Sequence, residues 1–375
     1  MGEWQDNDDG TGSLDGLNRG GRETAHTIFI RQDFSASTSS PLPVRMLAVA
    51  MAPHSQSSPF PMNSLPRRTF LNQAAAALGL AAIGSPLRAQ DKATATFGLG
   101  YTLYGMKSLA LDDALKTCAE IGYDGVELCL LDGYPTTPAQ FGAAERTKLR
   151  ESLAALKLRV SGLMENFSLL ADDAQQAKIL ERIKAAGQLA HDLAPGAVPP
   201  LETVLGGKPA EWDQVKDRMA ERLHAWAKAA EEAKIVMAIK AHVMSAVQNP
   251  ERLLWLWKAV NHPSIQLAYD YSHFQVQGLN FDDTFTAILP HTSFIHVKDA
   301  GGTPEKVKFL LPGEGTIDYG AYFKKLQAFG YRGDVVVEVS AMLFKQPEYE
   351  PKEAARKSYT ALTAGLEKAG LRRQR

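Results

Sequence analysis

A chain of 375 residues, 45% of them hydrophobic, can bury one large core or two ordinary ones, which excludes a wholly disordered protein. A formal charge of −1 gives no electrostatic basis for holding a nucleic-acid backbone or an anionic membrane surface. The two cysteines, Cys118 and Cys129, are too few for a disulfide framework or a sulfur-rich zinc site and read as small buried hydrophobes.

Residues 1 to 61 are rich in Gly, Ser, Asp and Pro and lack lysine or any sustained apolar period, so a disordered N-terminal extension is predicted there. Met62 opens a different text, in which Arg67 and Arg68 precede Thr69, Phe70 and Leu71, then an apolar run from Ala74 to Ile83 and small residues up to Ala89. A positive segment, a short apolar segment and a small residue at the cut make a signal peptide over 62 to 90. Its paired arginines resemble a twin-arginine export signal, which predicts a periplasmic protein. The apolar run is too short for a permanent membrane span. Because a signal peptide belongs at an N-terminus, translation from Met62 is expected, with 1 to 61 an upstream misreading.

The stretch from Lys92 to Arg375 is close to the roughly 250 residues typical of a (β/α)8 barrel. Short β-branched or apolar runs alternate in it with amphipathic segments of helical length, which predicts parallel strands with crossover helices. The predicted strands are Phe97 to Tyr101, Gly125 to Leu130, Leu158 to Leu163, Leu201 to Leu205, Ile235 to Ala241, Ile265 to Tyr269, Ser293 to Lys298 and Val335 to Val339. Predicted helices include Leu111 to Ile121, Ala174 to Leu193, Pro250 to Val260, Tyr319 to Phe329 and Lys352 to Ala369. Eight such units favour closure into an α/β TIM barrel over a doubly wound open sheet. No Gly-rich turn follows the first strand to support a dinucleotide site.

Either parallel architecture binds its ligands at the carboxyl ends of the strands. Polar residues gather there: Glu127, Glu165 and Asn166, Lys240 and His242, Asp270 and His273, His296 with Lys298 and Asp299, and Glu338. Asp270, His296 and Glu338 end three consecutive strands, where one divalent cation could bridge them and keep positions open for substrate. The competing reading is a charge-balanced plug in which Lys240 or Lys298 pairs with the carboxylates and no metal binds. Gly206-Gly207 and Gly313-Glu314-Gly315 read as plain turns.

The segments Gly122-Tyr123-Asp124-Gly125-Val126-Glu127, Tyr269-Asp270-Tyr271-Ser272-His273, Phe294-Ile295-His296-Val297-Lys298-Asp299, Gly313 to Asp318 and Gly330 to Glu338 resemble those of the xylose-isomerase-like, endonuclease-IV-like barrel superfamily. The resemblance covers nearly all of residues 96 to 370. It implies a divalent metal (Mn, Mg, Zn or Co) on Asp270, His296 and Glu338. It also implies a sugar as the small-molecule substrate, with His273 as a contact, and Glu127 and Lys298 at neighbouring strand ends are read as further substrate contacts. A homo-oligomer is a possible assembly, and no nucleic-acid partner is expected.

One position departs from the pattern. The superfamily ends its fifth strand with a glutamate that binds the metal and serves as an acid or base, and this chain has Lys240. Two unit charges about 4 Å apart interact by roughly 4 kcal/mol at an effective dielectric of 20, so an ammonium beside a divalent ion costs about 8 kcal/mol before screening. Lys240 therefore turns away, acts as a neutral base, or takes the cation's place by pairing with Asp270 and Glu338. The implied reaction is isomerisation, epimerisation or a related elimination of a sugar or keto-sugar through an enediolate. Glu338 would be its base and Lys240 or His242 its acid. Two alternatives stand: a lyase or hydrolase of the same superfamily, and an exported, metal-free sugar-binding barrel.

Overall fold

The computed structural model describes residues 92–373. The extension over 1 to 61 and the signal peptide over 62 to 90 lie outside the described residues. Eight strands close a parallel barrel: β1 (Gly98–Thr102), β2 (Gly125–Cys129), β3 (Arg159–Asn166), β4 (Leu201–Val204), β5 (Met237–Lys240), β6 (Ile265–Tyr269), β7 (Thr292–Val297) and β8 (Asp334–Val337). Each pairs with the next, and β8 pairs with β1 to complete the ring.

The crossover helices are α1 (Leu111–Ile121), α2 (Ala143–Leu156), α3 (Asp173–Leu193), α4 (Trp212–Glu232), α5 (Pro250–Val260), α6 (Phe281–Ile288), α7 (Tyr319–Phe329) and α8 (Pro351–Lys368). Their ends follow from local chemistry. The Asn249 side chain accepts from the amide of Arg252 at the start of α5, and Pro250 sits where no backbone donor is needed. Gly330 stops α7 at φ 78°, a left-handed conformation that glycine adopts without strain because it has no Cβ. No described helix is long and apolar enough to cross a membrane.

Inside the barrel the side chains are layered by the two-residue period of a strand. Ala238, Ala268, Phe294 and Val336 form a buried apolar cluster. Two residues further along the same chain stretches stand Lys240, Asp270, His296 and Glu338, so the apolar layer floors the polar one. Gly162 admits the Phe294 ring into this floor, since a Cβ there would lie 2.6 Å from a ring carbon. The register between β2 and β3 shifts between Val126 and Glu127.

Several expected boundaries move. β3 runs on to Asn166, so Glu165 and Asn166 lie on the strand and not after it. β5 spans only Met237–Lys240, leaving His242 in the following turn. Between β7 and α7 the chain adds an antiparallel hairpin, Asp299–Thr303 with Lys306–Leu310, that the strand and helix alternation does not predict.

Candidate active site

The C-terminal ends of the strands bring seven ionisable side chains into one buried cluster. Glu127 comes from β2, Glu202 from β4, Lys240 from β5, Asp270 from the end of β6, His296 and Lys298 from β7, and Glu338 from the end of β8. Glu338 is the member most open to the mouth, its side chain 12% exposed against 3% for Lys240.

The Glu338 Oε2 atom is the hub. It accepts hydrogen bonds from Lys240 Nζ at 2.9 Å and Lys298 Nζ at 2.8 Å, and His296 Nδ1 lies 3.1 Å away. Burial alone would raise the Glu338 pKa, but Lys240, Lys298 and His296 override it and hold the carboxyl well below the usual carboxylate range. Lys240 also lies 3.0 Å from Glu202 Oε1 and 2.9 Å from His296 Nδ1. Its burial disfavours charge, yet Glu202 and Glu338 outweigh that and raise its pKa, so the ammonium stays protonated. Lys298 donates to Asp270 Oδ2, whose other oxygen accepts from the Ser272 hydroxyl at 2.6 Å.

His296 has both ring nitrogens engaged. Nε2 lies 2.9 Å from Glu127 Oε2, which fixes a proton on that nitrogen. Nδ1 faces Glu338 and Lys240 together, so a proton there is held by the carboxylate, and without it the lysine donates to the ring. Burial lowers the imidazole's pKa, but the Glu127 carboxylate reverses this and the net value is about 9. Glu202 moves the other way. Its burial exceeds the attraction of Lys240 and pushes it up to about 7. Four acids, Glu127, Glu202, Asp270 and Glu338, thus share three cations, His296, Lys240 and Lys298, and Glu338 lies within reach of all three.

Beyond this cluster the rings of His242 and His273 lie 4.3 Å apart. The Met244 amide donates to His242 Nδ1 at 3.2 Å, which places that ring's proton on Nε2, and the Val243 amide donates to His273 Nδ1 at 3.4 Å while Lys298 Nζ lies 3.3 Å from His273 Nε2. His273 Nε2 also lies 3.5 Å from Asp270 Oδ2. Burial and the two lysines lower both imidazoles, His242 to about 4, so both are neutral at neutral pH. Phe309 from the added hairpin covers them. Its ring is 5.1 Å from the His273 ring and its centroid 5.1 Å from Lys298 Nζ.

Asp270, His296 and Glu338, expected as one metal set, converge on the same mouth but divide between two groups. Glu127, Glu202 and His296 offer donor atoms within 4.8 Å of one another, and so do Asp270, His273 and Glu338. The donor types suit a divalent cation. In both groups lysine ammonium groups or ring protons stand against donor atoms, although Glu127 Oε1 and Glu202 Oε1 accept no hydrogen bond from the described residues, so a divalent cation at Glu338 fits only in exchange for a lysine. Lys240 does not turn away. It takes a cation's place, though its partners are Glu338 and Glu202, and Asp270 belongs to Lys298.

Other expected residues fall elsewhere. Glu127, expected to meet substrate, is fully buried against His296. Glu165 is gripped by Arg182, Nε to Oε1 at 3.0 Å and Nη2 to Oε2 at 2.9 Å, and joins neither group. Asp299 accepts from the amides of Gly313 (2.7 Å) and Ile317 (3.2 Å), a loop-fastening role. Sequence reasoning missed Glu202, whose signal was a lone acid among the apolar and β-branched residues of β4, and Phe309, whose hairpin lies outside the eight-unit pattern.

A closed parallel barrel with acids, imidazoles and lysines massed at one mouth defines an enzyme-like barrel of the α/β class. The model of the family described as "Xylose isomerase-like TIM barrel" matches residues 115–364, and the chain belongs to that family. It is 24% identical over 247 residues to the inosose isomerase of Bacillus velezensis, covering 64% of this chain and 85% of that one. A solved structure of the IolI protein with a bound zinc atom matches at TM-score 0.60 and 20% identity, covering 73% of this chain and 98% of that one. The apo structure of the 3-keto-D-glucoside 4-epimerase YcjR from E. coli matches at TM-score 0.55 and 15% identity, covering 72% and 100%. At such identities the structural matches carry the fold.

Proposed function

We propose that this chain is an isomerase- or epimerase-like enzyme acting on a sugar or keto-sugar through an enediolate at the C-terminal mouth of the barrel. The observation that carries the reading is Glu338 Oε2, a carboxylate oxygen at the mouth flanked by two lysine ammonium groups within 2.9 Å. The inosose isomerase and keto-glucoside epimerase named above support the substrate class.

In this mechanism the substrate places a carbonyl and its neighbouring hydroxyl against Lys240 and Lys298. Glu338 takes the proton from the carbon between them, and the electron pair moves to the carbonyl oxygen to form the enediolate. Return of the proton by Glu338 to the former carbonyl carbon, with the hydroxyl proton passing to the former carbonyl oxygen through Lys240, isomerises; delivery of a proton from a donor on the opposite face of the original carbon epimerises. Held by three cations, Glu338 is a weak base in the resting site. A substrate oxygen that draws Lys240 and Lys298 toward itself restores that basicity and neutralises the developing charge in one motion. Lys240 is the acid of this scheme. His242, neutral with its proton on Nε2, contributes as a hydrogen-bond donor.

A second reading seats a divalent cation (Mn, Mg, Zn or Co) on Asp270, His273 and Glu338, favoured by that donor group and by the zinc-containing IolI structure. Export to the periplasm through Arg67 and Arg68 belongs to the same proposal. Changing both to Lys should leave the protein in the cytoplasmic fraction. A panel of aldoses, ketoses, inososes and 3-keto-glycosides, followed by NMR for interconversion, tests the activity. Conversion of one class supports the reading, and inertness toward every class refutes it.

A further inference from the structure

We infer that Lys240 and Lys298 occupy a cation seat permanently, so that the site works as a metal-independent, preformed pocket for vicinal substrate oxygens. The inference rests on the proposed reaction and concerns what supplies its positive charge.

Both ammonium groups are built in and not incidental. Lys240 is anchored from below by Glu202 at 3.0 Å, a buried acid that forms no other ion pair among the described residues. Lys298 is anchored by Asp270, itself fixed by the Ser272 hydroxyl and amide at 2.6 and 3.2 Å, and is roofed by the Phe309 ring. Each lysine therefore has one carboxylate of its own, and the two share Glu338.

A divalent ion bound to Glu338 would take that oxygen at about 2.0–2.2 Å and stand close to both ammonium nitrogens. Their repulsion opposes binding in a buried cluster where screening is weak. Two ammonium groups converging on one carboxylate oxygen instead offer two donors to the paired oxygens of an α-hydroxy-ketone, the arrangement that becomes an enediolate. The substrate class this selects is a sugar with a carbonyl beside a hydroxyl, without a metal to bind them.

The test uses the full chain, purified without added metal. Elemental analysis should find less than about 0.1 divalent ion per chain, and calorimetric titration with Mn²⁺ or Zn²⁺ should show no saturable site at micromolar concentrations. Lys240→Glu should gain a Mn²⁺ site, tightened about 100-fold or more over the parent. Circular dichroism reports whether that variant folds. Should it not, Lys240→Gln serves in its place, with a smaller gain expected.

Stoichiometric metal in the parent protein, parent binding as tight as that of the variant, or a folded Lys240→Glu chain that gains no site would each overturn the inference. Metal content and metal affinity are read without any turnover. Failure of the sugar panel and failure of this inference are therefore told apart.

Discussion

Lys240 reaches from the end of β5 to Glu338 at the end of β8 and closes a 2.9 Å ion pair inside the barrel mouth. The pair joins residues 98 positions apart in the chain, so it exists only because the barrel is closed. Lys240→Met would strand Glu202 and Glu338 without their shared cation. Removing one partner of a buried pair costs roughly 3–5 kcal/mol, or on the order of 10 °C in Tm for a domain of this size. Thermal unfolding of the variant should show that fall, and adding Glu202→Gln should restore part of it.

Glu202 gives the fold a pH dependence of definite sign. Its folded value of about 7 lies above the ordinary carboxyl value of 4.5. Folding thus favours the protonated form, and that contribution is fully present below pH 4.5 and lost as pH rises through 7. The shift corresponds to about 3 kcal/mol at most. Glu202→Gln, neutral at every pH, should match the parent near pH 4.5 and exceed it in Tm at pH 8.

Arg182 tests the neighbouring pair. It holds Glu165, whose burial pushes it up to about 7 in spite of the guanidinium. Arg182→Leu leaves that acid without a cation and should lower stability by roughly 3 kcal/mol at pH 8. At pH 5, where Glu165 is protonated, the loss should be smaller, and urea unfolding at the two pH values measures the difference.

Phe309 packs against His242, His273 and Lys298 from a hairpin outside the barrel proper. Phe309→Ala empties a buried ring site and should cost roughly 3–5 kcal/mol of stability, and in the folded enzyme raise KM more than it lowers kcat, since the ring shapes the pocket and takes no proton.

The barrel was legible because its information is local and periodic. Helices Leu111–Ile121, Pro250–Val260 and Tyr319–Phe329 stand where capping residues and apolar spacing put them. The acids and imidazoles at the strand ends were legible for the same reason, since a polar residue closing an apolar run has few structural uses. Partnership was not. Whether Lys240 meets Asp270 or Glu202 depends on which side chains face each other across the ring, and no period along the chain records that. Glu202 was overlooked because β4 is short, and Phe309 because its hairpin interrupts the βα alternation.

Proton exchange at carbon tests the central claim most directly. In D₂O, with a keto-sugar that the parent enzyme converts, the account predicts deuterium entering at the carbon beside the carbonyl whenever the proton on Glu338 exchanges with solvent before its return. Glu338→Gln should fold normally and lose that exchange by about 1,000-fold or more. Exchange or conversion by Glu338→Gln at the parent rate would contradict it.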